Sequence, residues 1–489
     1  MERVLQQLEP QRVFHFFEDI SRIPRESGNE KGISDYLVRF AKERGLEVVQ
    51  DAYYNVVISK PATPGYEDRK PIMFQGHIDM VCVKEEGVEI DFAKDPIPIY
   101  VDGDFVKARG TSLGADDGHA VAMALALLDN DELKHPAMQC IFSATEETTM
   151  AGAENIDASL LKGEYLIGLD WSLDDTFLLS CGGSSENHFA LKLGPRVPVE
   201  EGDAVVLHLQ LQGTAGGHSG KEIGRYGANG VKLMGELLAG MDDAFDIGLI
   251  RIDGGNQTNV IAEWAKADIC CRKQEKEAVK EHLNRMAEAL PLEYKTTDPE
   301  LTVTVTEEPA EDVQVIAEKK AVLTLLDLLP NGVYTWMDQK NYMAKCSMNI
   351  GNIRTYQDRV EVQCLVRSNS DHDHDELLRK LQSLAKLCGA DYEMSCKALA
   401  WDYIPDSHLQ QEAARVYEQE FGQKPGFVIT HAQTETGIFI QKMKEAKKPV
   451  QALNIGVRTF DVHSTRERMQ ISSVGKTYRL LCALLENIR

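Results

Sequence analysis

Short apolar runs alternate with helical segments through the first part of the chain, and this alternation constrains the fold more than any other feature. Turn signals separate four such runs, which span residues 46–58, 71–76, 138–144 and 165–170. Residues 118–129 are apolar nearly all round, which is typical of a buried helix. Strands that are apolar on both faces, with helices between them, predict an α/β sheet covered on both sides.

A first amphipathic helix is predicted over residues 29–44. Ser27 and Glu30 have the spacing of a capping box at its start, and Gly45 predicts its end. Its apolar positions share one face and are expected to be buried: Ile33, Leu37, Phe40 and Ala41.

The pattern of predicted strands and helices changes after residues 181–186 and returns to the α/β type near residue 399. Between these points come alternating strands, such as 204–212, and amphipathic helices. After them we expect helices and strands of the α/β type again, at 407–420, 426–430, 437–444, 449–455 and 472–488. We therefore predict an α/β domain in two segments, 1–184 and 399–489, interrupted by an inserted α+β domain over 185–398.

The insert carries a weak internal repeat. Residues 267–273 and 362–368 both read as alternating strands that reach an arginine, and charged amphipathic helices follow at 274–289 and 375–388. Two ferredoxin-like halves would explain the pattern, but the repeat is only a few residues deep. A duplicated and an unduplicated insert both remain open on this evidence.

Charge and composition exclude several classes of protein. The 53 Lys and Arg residues against 77 Asp and Glu give a net charge of −24, which would repel nucleic acid and anionic membranes. No apolar run approaches the ~20 residues of a membrane span, and the N-terminus lacks the apolar stretch of a signal peptide. The ten cysteines are scattered without a C-x-x-C pair. We expect a cytoplasmic protein with reduced thiols.

Histidines and carboxylates follow the predicted strands, at the sheet edge where open α/β proteins bind ligands. His77 and Asp79 end one strand and face the same way, so the carboxylate can orient the imidazole toward a metal. Glu146 and Glu147 follow another strand, and adjacent glutamates can act as metal ligand and general base. A surface pair and a solvated loop are the alternatives.

Three further positions complete this set. Asp116, beside Asp117, precedes the buried helix, where it would cap the helix or bind a metal. Asp170 follows an apolar strand, with a turn as the alternative, and His463 follows a late strand, with a structural role as the alternative. Two histidines with several carboxylates suit zinc and harder divalent ions. The set contains a bridging carboxylate, terminal ligands and a spare base, as a dinuclear site requires.

Several motifs resemble those of a known enzyme group. QGHIDMV, GTSLGADDG, TEE and DVHS occur in the order and spacing of the co-catalytic zinc peptidases of the glutamate-carboxypeptidase and aminoacylase clan. Within that clan the chain is most similar to the bacterial aminoacyl-histidine dipeptidases of the peptidase D type. This likeness covers nearly the whole chain and rests on the segments KPATPGYEDRKP, DFAKDPIPIYVDGDFVKARGTSLGADDG, LQGTAGGHSGKEIG, PNGVYTW and ITHAQTETGIF.

The resemblance implies a mixed-sheet zinc-exopeptidase domain with two divalent ions, zinc first and manganese or cobalt as alternatives. Asp116 would bridge the ions, with the peptide bond after it cis. Glu146 would be the general base for a metal-bridging hydroxide, and Asp79 would orient His77. The remaining ligands would divide between the ions as His77 with Asp170, and Glu147 with His463.

The inserted domain would be the family's lid, which closes over the substrate. His218 would stabilise the oxyanion, and Asn259 and Arg367 would bind the substrate's C-terminal carboxylate. A buried histidine in a glycine-rich turn and a lid salt bridge are the alternatives for His218 and Arg367. Glu435, expected on a loop near the metals, would bind the α-ammonium.

Two features depart from this scheme or lie outside it. Asp117 stands where these dipeptidases often have asparagine, which bears on the substrate pocket rather than on activity. Residues 371–376 (DHDHDE) are interpreted as the solvated start of a helix, with an extra metal site as the alternative.

The predicted function is hydrolysis of unblocked dipeptides, of the Xaa-His type or broader. The partners would be small peptides, with no nucleic acid or membrane, and the enzyme would be a monomer or a homodimer. The alternatives are an N-acyl amino-acid amidohydrolase, an inactive metal-binding homologue, and a tripeptidase or other exopeptidase. The intact Glu146 argues against an inactive homologue, which needs no spare base.

Overall fold

The chain forms two structural units in a computed structural model that describes residues 3–199, 204–225, 227–309, 312–340, 343–405 and 407–488. Unit 1 comprises Met1–Ser180, Tyr403–Ile429 and Thr434–Arg489. Unit 2 comprises Cys181–Asp402 and Thr430–Gln433. The chain thus leaves unit 1 once for a long excursion and once for a four-residue segment.

Helices and strands are numbered in chain order within the described residues. The helices are α1 (Gln11–Ile20), α2 (Lys31–Glu43), α3 (Ala115–Leu128), α4 (Ala151–Asn155), α5 (Gly230–Ala244), α6 (Lys276–Glu293), α7 (Lys319–Leu328), α8 (Asp371–Cys388), α9 (His408–Phe421), α10 (Glu435–Glu445) and α11 (Ile471–Asn487). The strands are β1 (Glu47–Gln50), β2 (Val56–Lys60), β3 (Ile72–His77), β4 (Ile99–Asp102), β5 (Phe105–Ala108), β6 (Met138–Ser143), β7 (Tyr165–Gly168), β8 (Thr176–Leu178), β9 (Gly183–Lys192), β10 (Val197–Pro198), β11 (Ala204–Gln212), β12 (Gly248–Gly255), β13 (Trp264–Arg272), β14 (Thr302–Pro309), β15 (Gln314–Val315), β16 (Gly332–Asp338), β17 (Met343–Thr355), β18 (Arg359–Ser368), β19 (Asp391–Ala398), β20 (Gly426–Val428), β21 (Gln451–Asn454), β22 (Thr459–Phe460) and β23 (Arg468–Gln470).

Unit 1 is built on a mixed eight-stranded sheet. Its strand order is β1-β2-β6-β3-β7-β21-β8-β20, with a parallel centre from β6 to β21. Every residue of β3, β6 and β7 is buried, which confirms the prediction of strands covered on both faces. A second, four-stranded sheet has the order β22-β23-β5-β4.

The helices of unit 1 follow the predicted patterns, but their starts differ. In α3 all residues from Asp117 to Leu128 are buried, as its apolar composition predicts. In α2 the predicted face is buried, but the capping box is wrong. Glu30 accepts a hydrogen bond from Gly28 N instead, and Ser27 Oγ donates to Asp79 Oδ2 at 2.7 Å. The run 46–58 is also two strands rather than one, because residues 51–55 turn the chain between β1 and β2.

Unit 2 contains two copies of one topology. The series β11–α5–β12–β13–α6–β14 pairs in the order β14-β11-β13-β12, and β9–α7–β17–β18–α8–β19 pairs as β17-β18-β9-β19. Each is a ferredoxin-like βαββαβ half, and the first is inserted between the first strand and first helix of the second. Antiparallel pairing of β12 with β17 joins them into one sheet. The structure therefore resolves the weak repeat in favour of two halves.

The DHDHDE segment begins α8, but its first turn is not fully solvated as predicted. Asp373 and His374 are buried, and both side chains have partners there. Asp373 accepts a hydrogen bond from Thr335 Oγ1 at 2.7 Å, and His374 Nε2 lies 2.8 Å from Ser185 Oγ. The potential metal-binding groups found in the described chain do not include these residues.

Two sequence expectations concern the chain as a whole. The nine cysteines whose side chains are described are all free thiols, as expected, and most are buried. Within the described ranges, no helix combines the length and apolar character needed to cross a membrane.

Candidate metal centre and anion-binding cluster

Three neighbouring parallel strands deliver the first part of the candidate site in unit 1. β3 lies between β6 and β7, and all three run in the same direction. His77 is the last residue of β3, Glu146 and Glu147 follow β6, and Asp170 follows β7. The carboxyl ends of parallel strands share one edge, so these side chains converge from segments that are far apart in sequence.

These side chains meet Asp116 and His463 in three overlapping groups. Within each group the potential ligand atoms all lie within 4.8 Å of one another. Asp116 belongs to two groups, as a shared ligand would. The groups are His77 with Asp116 and Asp170, Asp116 with Glu147 and His463, and His77 with Glu146 and Glu147.

Asp116 contacts both histidines through different oxygens. Its Oδ1 lies 3.2 Å from His77 Nε2 and its Oδ2 lies 3.3 Å from His463 Nε2. His463 Nε2 also lies 2.9 Å from Glu147 Oε2. A carboxylate whose two oxygens face two separate imidazoles has the arrangement of a bridging metal ligand.

The capping alternative for Asp116 and Asp117 is wrong. Both residues have non-helical backbone angles, the peptide bond between them is cis, and neither side chain caps α3. Asp117 is fully buried, and its Oδ2 accepts a hydrogen bond from His77 N at 3.1 Å. Asp117 therefore supports the β3 end rather than the helix start.

Asp79 connects the end of β3 to the residues that follow β6. Its Oδ1 lies 3.4 Å from His77 Nδ1 and accepts a hydrogen bond from Glu146 N at 3.0 Å, while its Oδ2 accepts from Glu147 N at 3.2 Å. Burial opposes ionisation of Asp79, but these hydrogen bonds, with the one from Ser27, outweigh it and lower its pKa to about 2. Asp79 is thus an ionised residue that fixes one histidine and both glutamate backbones.

The cluster carries more negative charge than its own residues neutralise. Burial, followed by the neighbouring carboxylates Asp170, Glu435 and Glu147, raises the pKa of Glu146 well above its usual range. Burial and then Asp116 raise the pKa of Asp170 to about 7. Such crowding disfavours ionisation unless cations share the space. Imidazole nitrogens and carboxylate oxygens without thiols form a donor set that suits zinc, manganese or cobalt.

A separate, positively charged cluster lies in unit 2. Arg367 on β18 is 8 % exposed, and burial lowers the pKa of its guanidinium to about 10. Its Nε donates a long hydrogen bond to Ser219 Oγ at 3.4 Å, and the guanidinium has no ion-pair partner among the described residues. The lid salt bridge is therefore wrong, since no carboxylate of the described chain faces this guanidinium.

His218 lies beside this guanidinium. Its Nδ1 accepts a hydrogen bond from Gly220 N at 3.0 Å, so the neutral ring carries its proton on Nε2. Burial lowers the pKa of His218, and the charge of Arg367 adds to the effect. Asn259 joins the same region through its backbone, because its carbonyl accepts from Ser219 N at 2.9 Å, and its side chain is exposed. The cluster thus supplies a guanidinium and a neutral N–H donor.

His431 belongs to this cluster but is absent from the sequence prediction. Its Nδ1 lies 2.6 Å from Asn369 Oδ1 and its Nε2 lies 2.8 Å from Ser347 Oγ. Burial, and then Arg367, lower its pKa to about 3, so the ring is neutral. The only sequence signal was its position in the ITHAQTETG segment, four residues before Glu435.

Glu435 lies near the carboxylate cluster, as predicted, but on a helix rather than a loop. It is the first residue of α10, and it is 2 % exposed. Its Oε2 accepts hydrogen bonds from Gln75 and Ser143, whereas Oε1 has no partner among the described residues. Burial raises its pKa to about 8, and a cation beside Oε1 would favour the ionised form.

Comparisons with known proteins show which family the chain resembles in sequence and structure. The model of peptidase family M20/M25/M40 matches residues 73–487. The chain is 34% identical to the cytosol non-specific dipeptidase of Escherichia coli over 485 residues, which is 99% of each chain. The crystal structure of aminoacylhistidine dipeptidase from Vibrio alginolyticus superimposes with a TM-score of 0.93 at 32% identity, covering 99% of this chain and 98% of that one. Aminopeptidase PepT from Bacillus cereus shares the fold alone, at a TM-score of 0.57 and 16% identity, over 98% of this chain and 99% of that one.

Proposed function

Because the chain belongs to peptidase family M20/M25/M40, we propose that it is a dinuclear metal-dependent dipeptidase that hydrolyses unblocked dipeptides. The observation that carries this proposal is the set of overlapping groups that share Asp116. The names of the two full-length relatives, one a non-specific and one an aminoacylhistidine dipeptidase, support dipeptides as the substrate class. The cytosolic relative supports a cytoplasmic location.

Each ion of the proposed pair would have its own terminal ligands. His77 and Asp170 would hold one ion, Glu147 and His463 would hold the other, and Asp116 would bridge them. Zinc is the first choice for this donor set, which manganese and cobalt also suit. When bound, the ions would polarise the scissile carbonyl and acidify a water molecule.

Glu146 is the proposed general base. It shares a group with His77 and Glu147, yet its Oε2 stays 4.0 Å from His77 Nε2 and it is not needed to complete either ligand set. Its side chain is 14 % exposed, so it is shielded but reachable. In this role Glu146 accepts a proton from the attacking water and returns it to the leaving amine.

The residues that recognise the substrate's ends would carry opposite charges. Arg367 is a buried cation without an anionic partner in the described chain, and a substrate carboxylate would supply one through bidentate hydrogen bonds. Asn259 would add a side-chain contact, and His218 would donate from Nε2 to the developing oxyanion. Glu435 Oε1 would accept the α-ammonium, which an unblocked dipeptide has and an N-acyl amino acid lacks.

Hydrolysis of a mass-resolved substrate mixture tests this function. The zinc-reconstituted protein would be offered free dipeptides, including several Xaa-His, with N-acetyl amino acids and tripeptides. We expect cleavage confined to unblocked dipeptides, and a Glu435→Gln variant should lose the preference for a free amine. Gln441→Glu, on the same helix, serves as the control. Cleavage of the acetylated compounds by the wild type would instead identify an amidohydrolase.

A further inference from the structure

Glu467 makes an unusual set of contacts for a carboxylate outside the metal cluster. It is 3 % exposed, and both of its oxygens accept backbone hydrogen bonds from the start of α3. Oε2 accepts from Leu113 N at 2.7 Å and Gly114 N at 2.9 Å, while Oε1 accepts from Ala115 N at 2.8 Å and Asp116 N at 3.2 Å. One side chain thus binds four successive amides that end at the proposed bridging residue.

Arg25 makes the complementary contacts to carbonyl groups. It is 2 % exposed, and its Nη1 donates to Ile78 O at 3.1 Å and Asp79 O at 2.9 Å. Its Nη2 donates to Gly114 O. Glu467 and Arg25 therefore bind the amide and the carbonyl of the same residue, Gly114. Together they tie the Asp116 segment to the end of β3, where His77 and Asp79 lie.

The close packing around Arg25 explains a glycine of the GTSLGADDG motif. Gly114 has a φ of +69°, and a Cβ there would lie 2.5 Å from Arg25 Nη2 and 2.6 Å from Met80 Sδ. Any side chain at this position would displace the guanidinium from Gly114 O. The glycine therefore serves the contact with Arg25 as well as the turn.

Glu467 also lies four residues after His463, and its amide donates to Ser464 O at 3.2 Å. Three ligand-bearing segments consequently meet through two buried side chains that contribute no ligand atom. A metal site requires its ligands within a few tenths of an ångström of the right geometry, and supporting contacts of this kind set metal affinity.

We propose that Glu467 and Arg25 are positioning residues that set the metal affinity of this site by holding Asp116, His77 and His463 in register. The inference rests on the proposed function, because it assumes that the cluster binds metal. Loss of either side chain would leave every ligand present but would loosen the spacing between them. The expected loss in zinc affinity is about 10–100-fold, the usual effect of removing a supporting contact.

Zinc affinity of the folded protein, measured by competition with a chromophoric chelator, tests the proposal. Glu467→Gln replaces two acceptor lone-pair sites with an amide that faces backbone N–H donors, so affinity should fall while kcat recovers at saturating zinc. Arg25→Lys keeps the charge but loses the fork that reaches both segments, so it should show a smaller loss in the same direction. If Glu467→Gln does not fold, the zinc affinity of Arg25→Lys tests the proposal.

Glu18→Gln is the matched control, because Glu18 is equally buried and accepts from Val4 N and Leu5 N. It should lower the melting temperature of the metal-free protein without changing zinc affinity. If Glu467→Gln and Arg25→Lys behave in the same way as this control, the positioning role is overturned and the proposed function stands. If the wild type itself binds no zinc, the proposed function falls and this inference falls with it.

Discussion

The two units hold charged clusters that are unbalanced in opposite senses. In unit 1, four carboxylates crowd around two histidines, and burial with mutual repulsion raises the pKa values of Glu146 and Asp170. In unit 2, Arg367 is buried among neutral groups, and no carboxylate of the described residues pairs with it. Burying an unpaired charge is costly, so a fold retains it where a ligand supplies the missing partner. The first imbalance indicates cations, and the second indicates an anion.

Substitutions at Arg367 and at His208 would test this comparison, and the one at Arg367 is expected to have the larger effect. Arg367→Lys keeps the positive charge but removes the bidentate fork, so it should lower kcat/KM mainly through KM. Losing one charged hydrogen bond costs about 1.5–3 kcal/mol, which corresponds to roughly 10- to 150-fold in kcat/KM. Steady-state kinetics on a dipeptide and on its C-terminal amide would measure this.

Arg359→Lys is the control for that experiment, because Arg359 lies on the same strand but is paired with Glu361 and Asp358 at the surface. It should leave both substrates unaffected. The wild type should prefer the free carboxylate over the amide, and Arg367→Lys should lose that preference. An equal loss of kcat/KM on both substrates would show that Arg367 does not bind the substrate carboxylate.

His208 gives a smaller effect and a contrast with the histidines of unit 1. Its Nδ1 lies 2.7 Å from Asp268 Oδ1 and its Nε2 lies 3.2 Å from Glu308 Oε2. The hydrogen bond to Asp268 raises the pKa of His208 above 6.5. Its charged form is therefore favoured by folding, so the stabilisation is complete below the unfolded pKa and is lost as pH rises through the folded pKa.

A partly exposed pair of this kind is worth about 0.2–1 kcal/mol. Thermal melts of the metal-free wild type and His208→Asn should differ most below pH 6.5 and converge as pH rises. Zinc affinity should be unchanged, because this triad is absent from the potential metal-binding groups of the described chain. A stability difference that grows with pH would have the wrong sign for a histidine paired with carboxylates.

The sequence was most informative where burial and chain direction decide the structure. Strands apolar on both faces predicted the covered sheet, and its parallel centre brought His77, Glu147 and Asp170 to one edge as expected. Asp116 and His463 cluster with them, as their positions next to predicted elements and the family resemblance implied. The roles of these residues as ligands remain predictions, as do the limits of the inserted domain.

Local patterns were less informative where a distant side chain competes for the same backbone. Ser27 has the spacing of a cap but bonds Asp79, and α3 is capped by Glu467 rather than by either aspartate at its start. Arg25 and Glu467 could not be predicted, because their partners are backbone groups that leave no sequence signature. His431 was missed for a similar reason, since its partners are neutral side chains on other strands.

The most direct test of the dinuclear site is a count of zinc ions and turnovers in the same protein samples. Wild type, Glu146→Gln and the surface control Glu154→Gln would be reconstituted with zinc, and metal content would be measured by mass spectrometry. We expect two zinc ions per chain in all three, with turnover of Glu146→Gln alone reduced by about 10²–10⁴-fold, the usual contribution of a general base. Loss of zinc from Glu146→Gln, or retention of most of its turnover, would contradict the account.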